Sequence, residues 1–423
     1  MSSIEDGNFT DPLHKSDRTA PGWLFVLPWS LQLIAGGGVN EVLKALIREF
    51  RNDDVFTPHL LVSTEEPEAG PTAGLEVIKP FLLNLWSPVN REHPVRGLIS
   101  FVFRLPYRYW ALHRIIKHHK IKVINPHFPN LGCLVFTILK KLGLFDSEII
   151  LSFHNSDITN ALQTSGLERR LWRVLLRRAN RIVLVSNSLA PDLLSIEPRI
   201  AAKLTTIYNG VDVGLFSSRD HVERSLSRQV ARPTVISVAS FLPIKGHDGL
   251  VRAFSSVVKR IPDARLLLVG HDGPAYQEVR VLIDKLALGD HVFLHKDVSH
   301  ELIPGYLAQA QLFVLASHRE GHPFAVMEAG AAGLPVICTR AIGSMELISD
   351  RITGRIVEVG NEHALAEVMI ELLTNLQEAK RMAVAFHEFI KNNLTWRRTY
   401  EQYLQLACGG VRSHTLVAQS TEE

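Results

Sequence analysis

Short apolar runs rich in strand-forming residues alternate with helical patterns along this chain. Strands are predicted at residues 23–27, 59–63, 123–125, 148–153 and 181–188, and again at 233–239, 265–270, 292–294, 311–316 and 334–339. This alternation predicts an α/β protein with parallel sheets that helices cover on both faces. Ligands of such sheets gather where the strands end, so the residues after each strand are the ones to examine for chemistry.

The stretch 317–333, SHREGHPFAVMEAGAAG, follows one of these strands and precedes another. Pro323 suits the first turn of a helix, and Gly333 followed by Pro335 supplies a stop. We therefore expect a helix from Pro323 to Ala332 between two parallel strands. The free N–H groups at its start and the positive end of its dipole favour a diphosphate at this position.

Two carboxylates flank the start of this helix. Glu320 falls in the loop before it, and Glu328 lies roughly 7–8 Å along the axis at 1.5 Å per residue. The first can accept hydrogen bonds from sugar hydroxyls, and the second can hold a ribose diol. The spacing alone fits an ordinary cap and a solvated helix residue equally well.

The run EGHPFAVMEAGAAGLPVI, residues 320–337, resembles the signature of the retaining glycosyltransferases of family 4. Other segments similar to this family occur in order from Gly36 to Trp396. The resemblance implies the GT-B fold, with two Rossmann-like domains facing across a cleft and a C-terminal helix crossing back to the first domain. It also implies a nucleotide diphosphate sugar, with UDP or GDP, as donor and a glycan or lipid-linked acceptor.

The resemblance divides the chain into five expected segments. These are a disordered arm at 1–20, an acceptor domain at 21–208, a donor domain at 209–392, the crossover helix at 393–408 and a polar tail at 409–423. A chain of 423 residues is long enough for two such domains.

Composition and charge narrow the class of protein. The net charge of +3 is too small to argue for a nucleic-acid partner. Cys133, Cys338 and Cys408 lie among apolar or small residues without metal-ligand spacing, which predicts reduced thiols of a cytoplasmic protein. The polar start lacks the apolar core of a signal peptide, and no apolar run approaches the ~18 residues of a membrane-spanning helix.

Further donor-site residues follow other strands. Lys245 follows the strand at 233–239 and can place an ammonium on a diphosphate. The resembled family usually has an arginine five residues earlier, where this chain has Ser240. A triple glycine by itself indicates a tight turn more readily than a ligand loop, but the family's glycine loop closes over the donor. The expected binding residues are Gly37, Gly38, Ser240, Gly321, His322, Pro323, Phe324, Ala325 and Glu328.

Two histidines stand at strand ends in the first half, His127 after 123–125 and His154 after 148–153. A lone histidine is more often structural than catalytic. The sequence HNSD at 154–157, however, resembles the family's strand-end histidine, whose backbone and ring face the transferred sugar. The expected catalytic residues are therefore His154, Glu320 and Lys245, and His127 is expected to be an acceptor-side or packing residue.

The family implies transfer with retained anomeric configuration. Lys245, the helix amides, the Gly37–Gly38 loop and Ser240 would stabilise charge on the leaving diphosphate, so we expect that no metal is required. Because no carboxylate is clearly placed as a nucleophile, we expect attack from the face of the departing diphosphate. Asp53 and Asp54 could mimic an acidic metal pair, but they follow a helix end in a polar turn.

Two stretches, 95–120 and 167–178, interleave basic and aromatic residues. Such segments suit peripheral contact with anionic lipid at the inner face of a membrane, and they equally suit solvated helix faces. Three alternatives to a transferase stay open: an epimerase or a phosphorylase of the same architecture, and a catalytically silent nucleotide-sugar-binding subunit.

Overall fold

The computed structural model describes residues 20–27, 38–62, 77–78, 85, 87–89, 94–216 and 232–409. Three predicted features lie outside these ranges: the N-terminal arm up to residue 19, Gly36 and Gly37 of the glycine loop, and the tail from residue 410.

The first half of the chain forms, within the described residues, a parallel sheet of seven strands in the order β3-β2-β1-β4-β5-β6-β7. Its strands are β1 (Gly22–Leu27), β2 (Thr57–Val62), β3 (Val77–Ile78), β4 (Ile121–Pro126), β5 (Glu148–Phe153), β6 (Arg181–Leu184) and β7 (Leu204–Thr206). Its helices are α1 (Gly38–Arg51), α2 (Pro94–Phe103), α3 (Leu105–His118), α4 (Leu134–Lys141), α5 (Ser156–Leu162), α6 (Gly166–Arg178) and α7 (Ala190–Ile196).

The second half forms, again within the described residues, a parallel sheet of six strands in the order β10-β9-β8-β11-β12-β13. Its strands are β8 (Thr234–Val238), β9 (Arg265–Gly270), β10 (Val292–Lys296), β11 (Leu312–Leu315), β12 (Val336–Thr339) and β13 (Arg355–Val357). The remaining helices are α8 (Val213–Phe216), α9 (His247–Arg260), α10 (Ala275–Lys285), α11 (Ile303–Leu307), α12 (Phe324–Ala331), α13 (Glu362–Thr374), α14 (Leu376–Asn393) and α15 (Trp396–Ala407).

Each sheet has an apolar core on both faces, which explains why its central strands are apolar throughout. In β1, every residue from Gly22 to Leu27 is buried. The α/β prediction with two parallel sheets is confirmed. The strand boundaries differ from the expected ones by a few residues in both directions: β6 ends at Leu184, short of the expected 188, whereas β10 continues to Lys296, beyond the expected 294.

The last helix, α15, packs on the sheet of the first half. Tyr400 and Tyr403 are buried in the same core as Trp23 and Phe50, and the rings of Phe50 and Tyr400 lie 4.7 Å apart. The chain therefore crosses back to the first half, as the GT-B resemblance implied. Val211 and Thr395 form a parallel bridge, so the two crossing segments run side by side.

Two predicted helices differ from those observed. The central helix α12 begins at Phe324 and ends at Ala331, and Pro323 is its extended N-cap residue, not part of its first turn. The basic stretch 95–120 is two helices with a break at Arg104, because Pro106 at the second position of α3 starts a new helix. No helix among the described residues is long and apolar enough to cross a membrane.

Candidate active site

Three loops that follow adjacent strands of the second sheet pack directly against one another. The loop after β8 meets the loop after β11, where Ile244 O accepts a hydrogen bond of 2.8 Å from the His318 N–H. Gly246 makes this approach possible, because its φ is +65° and an added Cβ would lie 2.3 Å from Ala316 O. These contacts fix Lys245 relative to the start of α12.

The loop after β12 closes on the same place. Glu320 donates its N–H to Ile342 O at 3.1 Å. Gly343 has a φ of +88°, and a Cβ there would lie 2.1 Å from Gly321 O. The backbone that carries Glu320 is therefore held from both sides.

Lys245 and Glu320, two of the three expected catalytic residues, form an ion pair. Lys245 Nζ lies 2.7 Å from Glu320 Oε1, and the two side chains are 23% and 9% exposed. A buried carboxylate needs such a partner to offset the loss of its hydration. The sequence placed both residues near a diphosphate, but it contained no sign that they contact each other.

The start of α12 carries backbone donors without acceptors. Among the hydrogen bonds of the described residues, the N–H groups of Gly321, His322, Phe324 and Ala325 have no acceptor. Such groups, together with the helix dipole, form a site for an anion. Pro323 has no N–H to contribute, so its place as N-cap costs nothing.

Buried polar side chains without partners surround these amides. Ser317 Oγ, both ring nitrogens of His322 and Ser344 Oγ have no hydrogen-bond partner among the described residues. Burial lowers the pKa of His322 to about 4, so its ring is neutral near pH 7 and can donate from one nitrogen. A buried polar group without a hydrogen bond destabilises the fold. The presence of several such groups at the carboxyl end of β11 and β12 therefore indicates a ligand site.

Glu328 lies on the side of α12 and is almost buried. Its Oε1 is 2.7 Å from His300 Nε2, and the two side chains are 7% and 37% exposed, respectively. His300 belongs to a short turn before α11, a segment that no sequence motif marked. This residue was missed because only the folded chain brings it to α12.

His154 reaches the same region from the first half. An added Cβ on Gly321 would lie 2.7 Å from His154 O, so the loop before α12 touches the strand-end histidine directly. Asp157 accepts from the N–H groups of His154, Asn155 and Ile158 and stabilises the turn, in which Asn155 has a φ of +122°. The backbone of His154 therefore touches the loop that carries Glu320, the partner of Lys245.

The other expected binding residues are placed as follows. Ser240 is half-buried in the loop between β8 and Lys245. Phe324 stacks on Trp396 with ring centroids 6.1 Å apart, which ties α12 to α15. Gly38 is the first residue of α1, and Gly37 lies outside the described residues. Asp53 lies 3.4 Å from Arg397, so this acidic residue contacts a cation of α15.

Glu346 joins the two halves. Its carboxylate accepts hydrogen bonds from Ser186 Oγ at 2.6 Å, the Asn187 N–H at 2.9 Å, the Ser188 N–H at 2.6 Å and Tyr208 Oη at 2.8 Å. Burial alone would raise the pKa of Glu346, and these hydrogen bonds outweigh it, so the pKa lies below its usual value. The carboxylate is thus a charged contact that holds the two sheets in this arrangement.

Replacing Glu346 by glutamine is expected to lower the free energy of unfolding by about 1–2 kcal/mol, because an amide is a weaker acceptor and brings two new donors. Urea denaturation at pH 7 measures this. The pKa of Glu346 is lower in the folded protein than its ordinary value of 4.5. Its contribution to the free energy of unfolding is therefore fully present above pH 4.5 and is lost as the pH falls through the pKa of the folded state. The difference between wild type and variant should therefore shrink in acid.

Glu358→Gln is the matched control, because Glu358 pairs with Arg340 but its side chain is 64% exposed. Its loss should stay below about 1 kcal/mol. Equal losses in the two variants, or a Glu346→Gln loss that does not change with pH, would contradict the contact described here.

Two family models match the chain, and together they cover most of its length. Glycosyltransferase Family 4 matches residues 36–215, and Glycosyl transferases group 1 matches residues 218–386. The boundary between the two matches falls between the two sheets.

Characterised relatives and a solved structure agree with these matches. The N-acetyl-alpha-D-glucosaminyl L-malate synthase of Bacillus anthracis is 26% identical over 340 residues, which cover 78% of this chain and 86% of that protein. The GDP-mannose-dependent alpha-(1-6)-phosphatidylinositol monomannoside mannosyltransferase of Mycolicibacterium smegmatis is 27% identical over 219 residues, or 49% of this chain and 57% of that protein. The structure of Anabaena HepE in complex with UDP superposes with a TM-score of 0.68 at 17% identity, covering 91% of this chain and 98% of that one.

Proposed function

The chain belongs to glycosyltransferase family 4, and on that premise we propose that it is a retaining, metal-independent enzyme. It moves a sugar from a UDP or GDP diphosphate sugar to a glycan or lipid-linked acceptor. The observation that carries this proposal is the anion site at the start of α12. Lys245 lies there with backbone N–H groups and a His322 ring that have no hydrogen-bond partner among the described residues.

The chemical task is to stabilise charge on the leaving diphosphate. Lys245 and the amides of Gly321 to Ala325 supply positive charge and hydrogen-bond donors that are already in place before the bond breaks. Ser240 adds a hydroxyl in the loop between β8 and Lys245. Because the protein supplies this charge itself, a divalent cation is not needed.

The transfer step follows from the same arrangement. The acceptor oxygen forms a bond to the anomeric carbon as the bond from that carbon to the diphosphate oxygen breaks, both on one face of the sugar. The acceptor proton moves to the leaving phosphate oxygen, so the charge balances within the site. Glu320 positions the donor sugar, His154 faces it from the first half, and Glu328 holds the ribose diol.

Product analysis tests this proposal. Wild-type protein is incubated in EDTA with the α-linked donors UDP-glucose, UDP-N-acetylglucosamine and GDP-mannose, with water as the acceptor. Release of the nucleoside diphosphate from one donor is expected, and proton NMR should show the first-formed sugar as the α anomer. A β anomer would refute retention of configuration. Turnover that occurs only without EDTA would refute metal independence. Release from none would favour a silent binding subunit.

We also propose that the acceptor side lies at a membrane, and the α2–α3 face supports this proposal. This face consists of the exposed apolar side chains Val95, Ile99, Val102, Phe103, Tyr107 and Trp110. Phe103 is 87% exposed. Residues 94–120 contain four arginines, two lysines and no acidic residue, so the face suits anionic lipid.

The second basic stretch does not share this character. In α6, Arg169, Arg173 and Arg177 bind carbonyl or carboxylate oxygens of the protein, and Trp172 is buried. Packing against the first sheet accounts for this helix, so the membrane proposal is restricted to the α2–α3 face.

The double variant Phe103→Ser, Trp110→Ser is expected to bind phosphatidylserine vesicles at least about tenfold more weakly than wild type, because two large apolar side chains no longer enter the lipid. Co-sedimentation with vesicles at low salt measures this. Leu376→Ser removes an exposed apolar side chain, 59% exposed, from the second half and should not change binding. Equal binding by wild type and the double variant would refute the proposal.

A further inference from the structure

A chain of buried hydrogen bonds runs from the C-terminal helix to His154. Tyr403 Oη lies 2.9 Å from Ser152 Oγ, and Ser152 Oγ lies 2.9 Å from Asn125 Nδ2. Asn125 Oδ1 lies 3.0 Å from His127 Nε2, and His127 Nδ1 lies 3.1 Å from His154 Nε2. Asn125 and Ser152 are fully buried, and His127 and Tyr403 are nearly so.

The direction of these hydrogen bonds fixes the protons on both histidines. Asn125 Nδ2 donates to Ile150 O at 2.8 Å, and a carbonyl can only accept, so the amide oxygen must be the atom that faces His127. His127 therefore carries its proton on Nε2 and accepts on Nδ1. His154 must donate from Nε2, which leaves its Nδ1 as an acceptor.

The surroundings keep both rings neutral and in place. Burial lowers the pKa of His127 to about 3, and burial with repulsion from His127 holds the pKa of His154 well below its ordinary value. Among the described titratable groups, Asp157 binds the His154 N–H, and the ring of Tyr403 lies 6.1 Å from that of His127. The Lys245–Glu320 ion pair faces His154 from the second half, because the loop that carries Glu320 touches His154 O. Phe128 stacks on His154 with ring centroids 4.1 Å apart, which restricts rotation of that ring.

We infer that Asn125 and His127 are positioning residues that hold His154 in the neutral Nε2–H tautomer, with Nδ1 ready to accept a hydrogen bond from a hydroxyl of the transferred sugar. The identity of the ligand, a sugar hydroxyl, rests on the proposed function, whereas the tautomer of His154 is a property of the free protein. Tyr403 anchors the relay on α15, so the helix that crosses back also supports the geometry of His154.

The tautomer is read directly in the wild-type protein. Long-range proton–nitrogen NMR correlations of histidine-labelled protein, with the His154 signals assigned by their loss in His154→Gln, are expected to show a protonated Nε2 and an unprotonated Nδ1. This pattern should persist from pH 6 to pH 8. A proton on Nδ1, or an imidazolium in this range, overturns the inference.

Asn125→Asp separates positioning from a merely structural role. A carboxylate beside His127 raises the pKa of that ring. Once His127 is protonated, its Nδ1 donates a hydrogen bond and no longer accepts one. His154 Nε2 must then be the unprotonated acceptor, and His154 carries its proton on Nδ1. We expect kcat of the variant to fall by about tenfold between pH 8 and pH 6, with a matching change of tautomer, while wild type keeps its kcat.

Asn180→Asp is the matched control. Asn180 Oδ1 also accepts hydrogen bonds at a strand end, from Lys140 Nζ and the Ile149 N–H, but it makes no contact with His154. This variant should keep the wild-type pH profile. A pH-independent loss of kcat in Asn125→Asp would overturn the inference. If the proposed function is wrong, the wild type shows no turnover with any donor. The NMR experiment still tests the tautomer of His154 in that case, because it needs no turnover.

Discussion

Replacing Lys245 by methionine is expected to lower kcat/KM for the donor by about 10²–10³, the usual result of removing one preorganised group that stabilises developing charge. Methionine keeps the length of the side chain and removes only the ammonium. The loss should fall mainly on kcat, because the charge on the diphosphate oxygen is greatest as the bond to the sugar breaks. Steady-state kinetics with the donor that the wild type hydrolyses measures both constants.

The same change leaves Glu320 without its partner, and a carboxylate whose side chain is 9% exposed then destabilises the fold. We therefore compare the single variant Lys245→Met with the double variant Lys245→Met, Glu320→Gln, in which the buried negative charge is removed as well. The double variant should regain most of the lost stability and remain inactive. Lys285→Met, on the exposed side of α10, controls for the loss of a surface lysine. A double variant with wild-type turnover would show that the pair is only structural.

Glu328→Gln is expected to weaken donor binding by about 10–150-fold, because hydrogen bonds to a charged group contribute about 1.5–3 kcal/mol. The ribose is remote from the bond that breaks, so KM should rise while kcat changes little. The glutamine also weakens the contact with His300, which lies 2.7 Å from the carboxylate in the wild type. Calorimetric titration with the nucleoside diphosphate measures the affinity without any need for turnover.

A cycle with 2′-deoxy and 3′-deoxy nucleoside diphosphates identifies the partner of Glu328 on the ligand. If the carboxylate holds the ribose diol, at least one deoxy ligand should lose affinity with the wild type and lose almost nothing more with Glu328→Gln. Additive losses for both ligands would mean that Glu328 acts elsewhere, and the ribose assignment would be wrong.

The fold was largely predictable from the sequence because its signals are local. Apolar runs such as 23–27 and 265–270 are short, rich in strand-forming residues and bounded by loops, so they indicated strands without knowledge of their neighbours. Breaks that depend on a single residue were harder to place. Pro323 is the N-cap of α12 and does not lie in its first turn, and Pro106 starts a second helix within the basic stretch 95–120.

The site was predictable only as far as single residues mark it. Glu320, Glu328 and Lys245 stand in recognisable runs, and the structure brings Lys245 and Glu320 into contact. The partners were not predictable, because His300 and Glu346 reach their contacts through distant parts of the chain. The relay behind His154 combines residues of β4, β5 and α15, and its bonded pair Ser152 and Tyr403 lies 251 positions apart along the chain.

The central claim is that the start of α12, together with Lys245 and Glu328, binds a nucleoside diphosphate without a metal. Isothermal titration of UDP and of GDP into the purified protein in EDTA tests it most directly. We expect one of the two to bind at a single site, with affinity that falls in both Lys245→Met and Glu328→Gln and is unchanged in Lys285→Met. Binding of neither nucleotide to the wild type, or equal affinity in all the variants, would contradict the account.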